Sequence, residues 1–221
     1  MRRSGSPSWS LSVSDAATLD LALFVRDAVG LDTSDDPLAP PPLASRPPDH
    51  SDLLDGQSRT EVARQWAAWW RAALAFETRW RRAASGSDLR SWVAAREEDE
   101  ARTVGTAPDF AVLAGSPELQ QVVVALHEEA RRWPGRADGD REPDSRYELT
   151  RTIAEETIGR YGVSPDRVNG IVLVVLVGGV WWRSVEPGVV VCSAAALKDA
   201  RTTAELLREA FESGLAGPSG R

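Results

Sequence analysis

The chain has 221 residues, a net charge of −7 and a pI near 5.0, and 42% of its residues are hydrophobic. This is the composition of a globular protein long enough to bury a sizeable core. The acidic balance argues against a general nucleic-acid binder and against docking on an anionic membrane. One cysteine excludes an intrachain disulfide, and the longest apolar run, residues 170–182, is shorter than the roughly 20 residues of a spanning helix. We expect a cytoplasmic protein with no membrane or nucleic-acid partner.

The N-terminal quarter divides into three segments. Residues 1–13 are rich in serine, and we expect them to be disordered. An amphipathic pattern predicts a helix over 14–30. Residues 31–57 contain six prolines between Pro37 and Pro48, which exclude helix and central strand and predict an extended connector. This connector either straps the first helix onto the rest of the chain or serves as a docking ligand for a proline-reading domain.

A long helix is predicted over residues 58–84, where neither Gly nor Pro interrupts the chain. Its tryptophans, Trp66, Trp69, Trp70 and Trp80, recur at helical spacing and predict a buried face. Adjacent residues lie about 100° apart around a helix, so Trp69 and Trp70 cannot both point at one core centre. One of the two could therefore face a partner, a second copy of the chain or an aromatic-lined pocket.

Three more helices are predicted over 88–102, 116–133 and 145–161, and a closing helix over about 198–214. The acidic run at residues 97–100 is typical of a solvated surface. A metal site there is disfavoured because four successive side chains on a helix point in four directions. We expect no metal and no cofactor.

The last sixty residues contain strand patterns, unlike the helical patterns that precede them. The continuous β-branched run at 171–177 predicts a strand buried on both faces, although a buried helix is the alternative. Gly178-Gly179 predicts a hairpin into a strand at 180–185, and a turn at 186–188 leads to a third strand at 189–192. The predicted fold is therefore α+β and predominantly helical, with about five helices and a three-stranded antiparallel meander near the C-terminus.

Catalytic signatures are sparse. Position 131 is Arg, so His127 does not complete a zincin motif, and Gly-rich phosphate loops and the GxSxG nucleophile elbow are absent from the sequence. His127 with Glu128 could act with Glu155 or Glu156 from the next helix as a general acid–base pair. Cys192, at a strand-to-helix junction, is a weaker nucleophile candidate and fits a buried core cysteine better.

These features predict one globular domain over 58–215 with a disordered tail at 216–221. The leading hypothesis is a non-enzymatic interaction or structural protein that associates with itself or with a protein partner. The predicted contact surface is the tryptophan-rich helix or a sheet edge and includes Trp66, Trp69, Trp70, Trp80, Trp181 and Trp182. The alternative is a ligand-binding or enzymatic domain whose helix-lined pocket uses His127 and neighbouring glutamates.

Overall fold

Four strands form one mixed sheet in the computed structural model, which describes residues 8–83, 89–133 and 143–216. The strands are β1 (Ser10–Asp15), β2 (Asn169–Val175), β3 (Trp182–Glu186) and β4 (Val189–Ser193), in the spatial order β1-β2-β4-β3. The β1–β2 and β2–β4 pairs are parallel, and β3 and β4 form an antiparallel hairpin. The predicted run is therefore a strand over residues 171–175, which are largely buried, and its last two residues lie beyond the end of β2.

The predicted three-stranded meander is wrong in its pairing. Gly178-Gly179 does not close a hairpin, because β4 lies between β2 and β3. The chain after β2 pairs with the proline-rich connector instead: Ala44 N–H donates to Leu176 O at 2.9 Å, and Gly178 N–H donates to Pro42 O at 2.9 Å. The turn predicted at 186–188 does join β3 to β4, with Gly188 at φ 82°.

Seven α-helices lie in the described ranges of the chain. They are α1 (Ala17–Ala28), α2 (Ser58–Ala83), α3 (Leu89–Thr103), α4 (Pro117–Arg132), α5 (Pro143–Tyr161), α6 (Ala194–Lys198) and α7 (Ala200–Ala216). The α+β class with a helical majority is confirmed, while the counts exceed the predicted five helices and three strands. None of the described helices is long and apolar enough to cross a membrane.

Strand β1 occupies residues that we expected to belong partly to a disordered N-terminal segment. Its register runs from Ser10 opposite Asn169 to Asp15 opposite Val174. Serine alternates with Leu11 and Val13 in this strand, a short period-2 pattern that is easily read as a polar tail. Residues 1–7 and 217–221, the rest of the predicted disordered ends, lie outside the described residues.

Contacts within the chain group it into two compact units, each built from separated segments. The sheet unit comprises residues 8–15, 143–175 and 179–216, and the helical unit comprises residues 16–83, 89–133 and 176–178. The single domain expected over 58–215 stays a prediction.

The core of the sheet unit forms where α5 and α7 pack with the strands. Val172 and Val190 from the sheet and Leu206 and Phe211 from α7 are fully buried in one cluster. Ile153 of α5 joins them at 1% exposure. The period-2 and period-3.6 apolar patterns therefore meet in one core.

The core of the helical unit forms from α1, α2 and α4. Trp66 and Trp70 of α2 are fully buried and stack on each other with ring centroids 5.6 Å apart. Buried Arg26 of α1 holds the connector by donating to Pro40 O at 2.6 Å and Pro41 O at 2.8 Å. These bonds satisfy proline carbonyls that have no regular partner strand, and they fit the strap interpretation of the connector.

Candidate functional site

A cavity of about 210 Å³ opens in the helical unit beside the first turn of α1. Helices α1, α2, α3 and α4 and the loop after α3 all contribute to its wall. Its aromatic lining residues are Phe24, Trp69, Phe110 and Trp133. Its polar lining residues are Thr18, Asp20, Glu100, Thr106, His127 and Arg131. Apolar walls with a few polar groups are typical of small-molecule sites.

The first turn of α1 brings two polar side chains to this cavity. Thr18 and Asp20 are both buried, at 7% and 8% exposure, on a helix whose other buried residues are apolar except for Arg26. The Thr18 hydroxyl donates a hydrogen bond to Glu100 Oε1 at 3.2 Å. This bond ties α1 to the C-terminal part of α3 at the cavity wall.

Glu100 is further held by a chain of ion pairs that leads into the core. Its Oε2 lies 3.5 Å from Arg96 NH1, and Arg96 NH2 lies 3.3 Å from Oε1 of Glu77. The side chain of Glu77 is only 1% exposed and also accepts from Arg81 at 2.9 Å. The Arg96 guanidinium stands 5.0 Å from the centre of the Phe76 ring. Each carboxylate in this chain thus has a cationic partner, as buried charges require.

His127 enters the cavity from α4 and is about 14% exposed. Its Nδ1 lies 2.9 Å from Val124 O, and a carbonyl only accepts, so Nδ1 carries the hydrogen of this bond. In the neutral ring Nε2 is then an acceptor. Nε2 also lies 3.4 Å from Glu128 Oε1. If the ring is protonated, Nε2 carries a hydrogen that points to this carboxylate oxygen.

Aromatic rings form the apolar part of the lining. Trp69 is 3% exposed, and its indole N–H donates to Val104 O at 2.8 Å, so the ring is fixed. Phe110 stands edge-on to His127 with ring centroids 5.5 Å apart. Its backbone is left-handed, at φ 48°, which costs a bulky residue about 1 kcal/mol. Phe24 packs edge-on against Trp133, at 5.6 Å between centroids.

The tryptophans predicted as contact residues occupy different environments. Trp66 and Trp70 are buried, and their indole N–H groups donate to Ala22 O at 2.6 Å and Leu38 O at 3.0 Å. Of the adjacent residues Trp69 and Trp70, Trp69 is the one that lines the cavity. Trp80 is half-buried and donates to Asp99 Oδ2 at 2.6 Å. Trp181 and Trp182 are half-buried in the sheet unit.

Of the predicted acid–base set, His127 is among the lining residues of this cavity. Glu128 lies on α4 and pairs with Arg131 at 2.9 Å and Arg132 at 3.0 Å. Glu155 and Glu156 belong to the sheet unit, where Glu156 lies 3.6 Å from Arg208. Cys192 is fully buried in the sheet-unit core.

The acidic run at 97–100 splits as the helix geometry predicted. Glu97 and Glu98 are exposed, Asp99 accepts from Trp80 and Thr103, and Glu100 reaches the cavity. No group of three or more metal-ligating side chains occurs among the described residues. Sequence reasoning did not single out Thr18, Asp20 or Glu100 as site residues. The available signal was a pair of polar residues among the apolar residues of the first two turns of α1.

Comparisons of the chain with protein-family models, with curated proteins and with solved structures gave no match.

Proposed function

We propose that the chain binds a small organic molecule in the cavity of the helical unit. The observation that carries this proposal is the lining itself: aromatic rings, the buried carboxyl group of Asp20 and the half-buried carboxyl group of Glu100 line the same cavity. Burying carboxyl groups beside aromatic rings costs folding free energy, and such cost concentrates at functional sites.

The size of the cavity restricts the ligand. A volume of about 210 Å³ is smaller than the roughly 300–1,000 Å³ of pockets for drug-sized ligands. A single ring or a short branched chain with one polar head group fits this space. The exposed Ala17 and Thr106 at the border of the lining leave a route from solvent.

The burial of the α2 tryptophans supports this proposal over association through the tryptophan-rich helix. Trp66, Trp69 and Trp70 are at most 3% exposed, and each indole N–H is bonded to a backbone carbonyl of the same unit. A partner would have to displace contacts that already hold the core. The large apolar area of these tryptophans is buried in the core of the helical unit.

The test is a fragment screen by ligand-observed NMR on the full chain and on blocked variants. Ala17→Trp places a large ring at the border of the cavity, and Ala75→Trp places the same ring on an exposed site of α2 outside it. Ala130→Phe and Ala125→Phe form a second such pair on α4, with buried Ala130 in the lining and Ala125 exposed.

We expect fragments to bind the wild type and both controls and to be lost from the folded blocked variants. Far-UV circular dichroism identifies which variants are folded. The proposal fails if the wild type binds no fragment, or if both blocked variants are folded and keep every fragment.

A second candidate function is self-association through the sheet edge. Strands β1 and β3 are the two edges of the described sheet, and Val13 on β1 is 47% exposed. Open edges favour pairing with another strand. Light scattering after gel filtration should then give a dimer that Val13→Lys dissociates, whereas a monomer at high concentration would contradict this candidate.

A further inference from the structure

The polar groups around the cavity point to the class of ligand. We propose that the cavity selects a small organic cation, a primary ammonium group on an apolar or aromatic body. This inference rests on the proposed function and specifies its ligand.

The first argument is the sign of the charge. Asp20 and Glu100 bring two carboxyl groups to the lining. The guanidinium of Arg131 also borders the cavity, but its side chain is 70% exposed and bonds Glu128 at 2.9 Å. The charged side chains of the lining are therefore two carboxyl groups and one exposed guanidinium, which gives the wall an excess of negative charge. This excess attracts a cation and repels an anion.

The second argument is the direction of the hydrogen bonds. Ionised carboxylates only accept hydrogen bonds, and the hydrogen of the Thr18 hydroxyl is already donated to Glu100. The hydrogen on His127 Nδ1 likewise bonds Val124 O. The less exposed polar side chains of the lining therefore offer mainly acceptors, whereas the donors of Thr106 and Arg131 belong to exposed side chains. An ammonium group carries three N–H donors and no acceptor, which is the complement of such a set.

The third argument is the aromatic wall. Trp69 and Phe110 are each 3% exposed, and Phe24 is fully buried, so these rings are held in place before a ligand arrives. Aromatic rings attract a cation over their faces and also pack against an apolar body. A purely inorganic cation would leave this surface unused.

The fourth argument is that Glu100 is already oriented. Thr18 holds Oε1, and Arg96 holds the Oε2 side from a position fixed by buried Glu77. Binding of a ligand to Glu100 therefore costs little side-chain entropy of Glu100, and this increases the affinity for a small molecule. Arg96 and Glu77 act on the ligand only through Glu100 and are positioning residues.

The experiment uses three probes that differ only in their head group. They are 2-phenylethylammonium, 2-phenylethanol and 3-phenylpropionate, titrated by calorimetry into the full chain at pH 7. We expect the ammonium probe to bind at least tenfold more tightly than the alcohol, and the carboxylate to bind weakest.

Two variants and one control locate the selectivity. Glu100→Gln and Asp20→Asn remove the charges and keep the shapes, while Glu98→Gln makes the same change on an exposed side chain of α3. We expect each of the first two to weaken the ammonium probe by about tenfold or more and the alcohol by less than threefold. Glu98→Gln should change neither. A merely structural loss would weaken both probes together.

The inference is overturned if the alcohol or the carboxylate binds the wild type as tightly as the ammonium probe. It is also overturned if none of the three probes binds although the fragment screen finds ligands that Ala17→Trp excludes. In both cases the proposed function stands. If the screen finds no ligand, the proposed function fails and the inference fails with it.

Discussion

The hydroxyl of Thr18 donates to Glu100 Oε1 at 3.2 Å, although 82 positions of the chain separate the two residues. This bond joins the first turn of α1 to the end of α3 at the wall of the cavity. Glu100 also lies at the end of the ion-pair chain through Arg96 to buried Glu77. The polar side of the cavity is thus continuous with the core of the helical unit, and a change in the core should be measurable as a change in stability.

Glu77→Gln should destabilise the chain. Glu77 accepts from Arg81 and Arg96, and its side chain is 1% exposed. The substitution removes the charge from a buried ionic network, and we expect the free energy of unfolding to fall by about 2 kcal/mol. Urea unfolding measures it, with exposed Glu98→Gln as a control that changes it by less than about 0.5 kcal/mol. An equal midpoint for Glu77→Gln and the wild type would contradict the network.

Trp66→Leu should cost more than the same change at Trp181. Trp66 is fully buried, stacks on Trp70 and donates to Ala22 O, whereas Trp181 is half-buried. Removing a buried indole leaves a cavity, and we expect a loss of about 3 kcal/mol at Trp66 against less than about 1 kcal/mol at Trp181. Thermal and urea unfolding compare the two variants. Equal losses would show that burial on α2 does not set the cost.

Asp99→Asn should destabilise the chain in a pH-dependent way. Burial raises the pKa of Asp99. Hydrogen bonds from Trp80, Arg79 and Thr103 and the charge of Arg79 lower it by more than burial raises it, so the pKa lies below the usual 3.8. A lowered native pKa means that the ionised form stabilises the fold above the unfolded pKa and loses this effect as pH falls through the native pKa.

We therefore expect a gap of about 1–2 kcal/mol between wild type and Asp99→Asn at pH 7, and a smaller gap below pH 3.8. Urea unfolding at pH 7, 5, 3 and 2.5 measures the gap. A gap that is the same at every pH would contradict the role of the carboxylate charge.

Arg26→Lys should loosen the proline-rich connector. The Arg26 guanidinium is buried and donates to two carbonyls, those of Pro40 and Pro41. A lysine ammonium cannot reproduce this planar fork, so we expect a loss of about 1–2 kcal/mol. Thermolysin should then cut faster before Leu38 or Leu43. Arg64→Lys is the control, because Arg64 is 74% exposed and bonds Glu61 on its own helix. Equal cleavage rates in the two variants would contradict the strap.

Two helical glycines of the sheet unit should respond in opposite directions to alanine. A Cβ at Gly214 would lie 2.8 Å from Asn169 O and 3.3 Å from Gly188 Cα, whereas one at Gly159 meets nothing within 4 Å. Gly214→Ala should therefore cost about 1–3 kcal/mol, and Gly159→Ala should add about 0.5–1 kcal/mol through helix propensity. Thermal unfolding ranks both against the wild type. The same sign for both would refute this close approach of backbones.

Much of the secondary structure follows from local pattern. The spacing of Trp66, Trp69 and Trp70 predicted α2 and its buried face, and all three residues are buried. The β-branched run at 171–177 predicted a strand buried on both faces, and β2 is that strand. These patterns succeed because side-chain period depends on neighbours within one or two turns or pleats.

The pairing of the strands did not follow from local pattern. The glycines at 178 and 179 suggested a hairpin, but the chain there bonds to Pro42 and Ala44 of the connector. Strand β1 pairs with β2 across more than 150 positions of the chain, and no short-range signal distinguishes its serine-rich sequence from a tail. Strands form hydrogen bonds with whichever strand lies beside them in space, whatever the distance between the two in the sequence.

Local patterns in the sequence predict the α+β class, the buried side of α2 and the exposure of Glu97 and Glu98. They do not predict that Glu100 reaches a cavity where Thr18 and Asp20 also lie, because this depends on how the helices pack. Successive residues turn by about 100° on a helix, so adjacent glutamates of identical chemistry acquire different surroundings once the helix packs. A cavity is made of side chains from several elements, and its existence depends on how those elements pack.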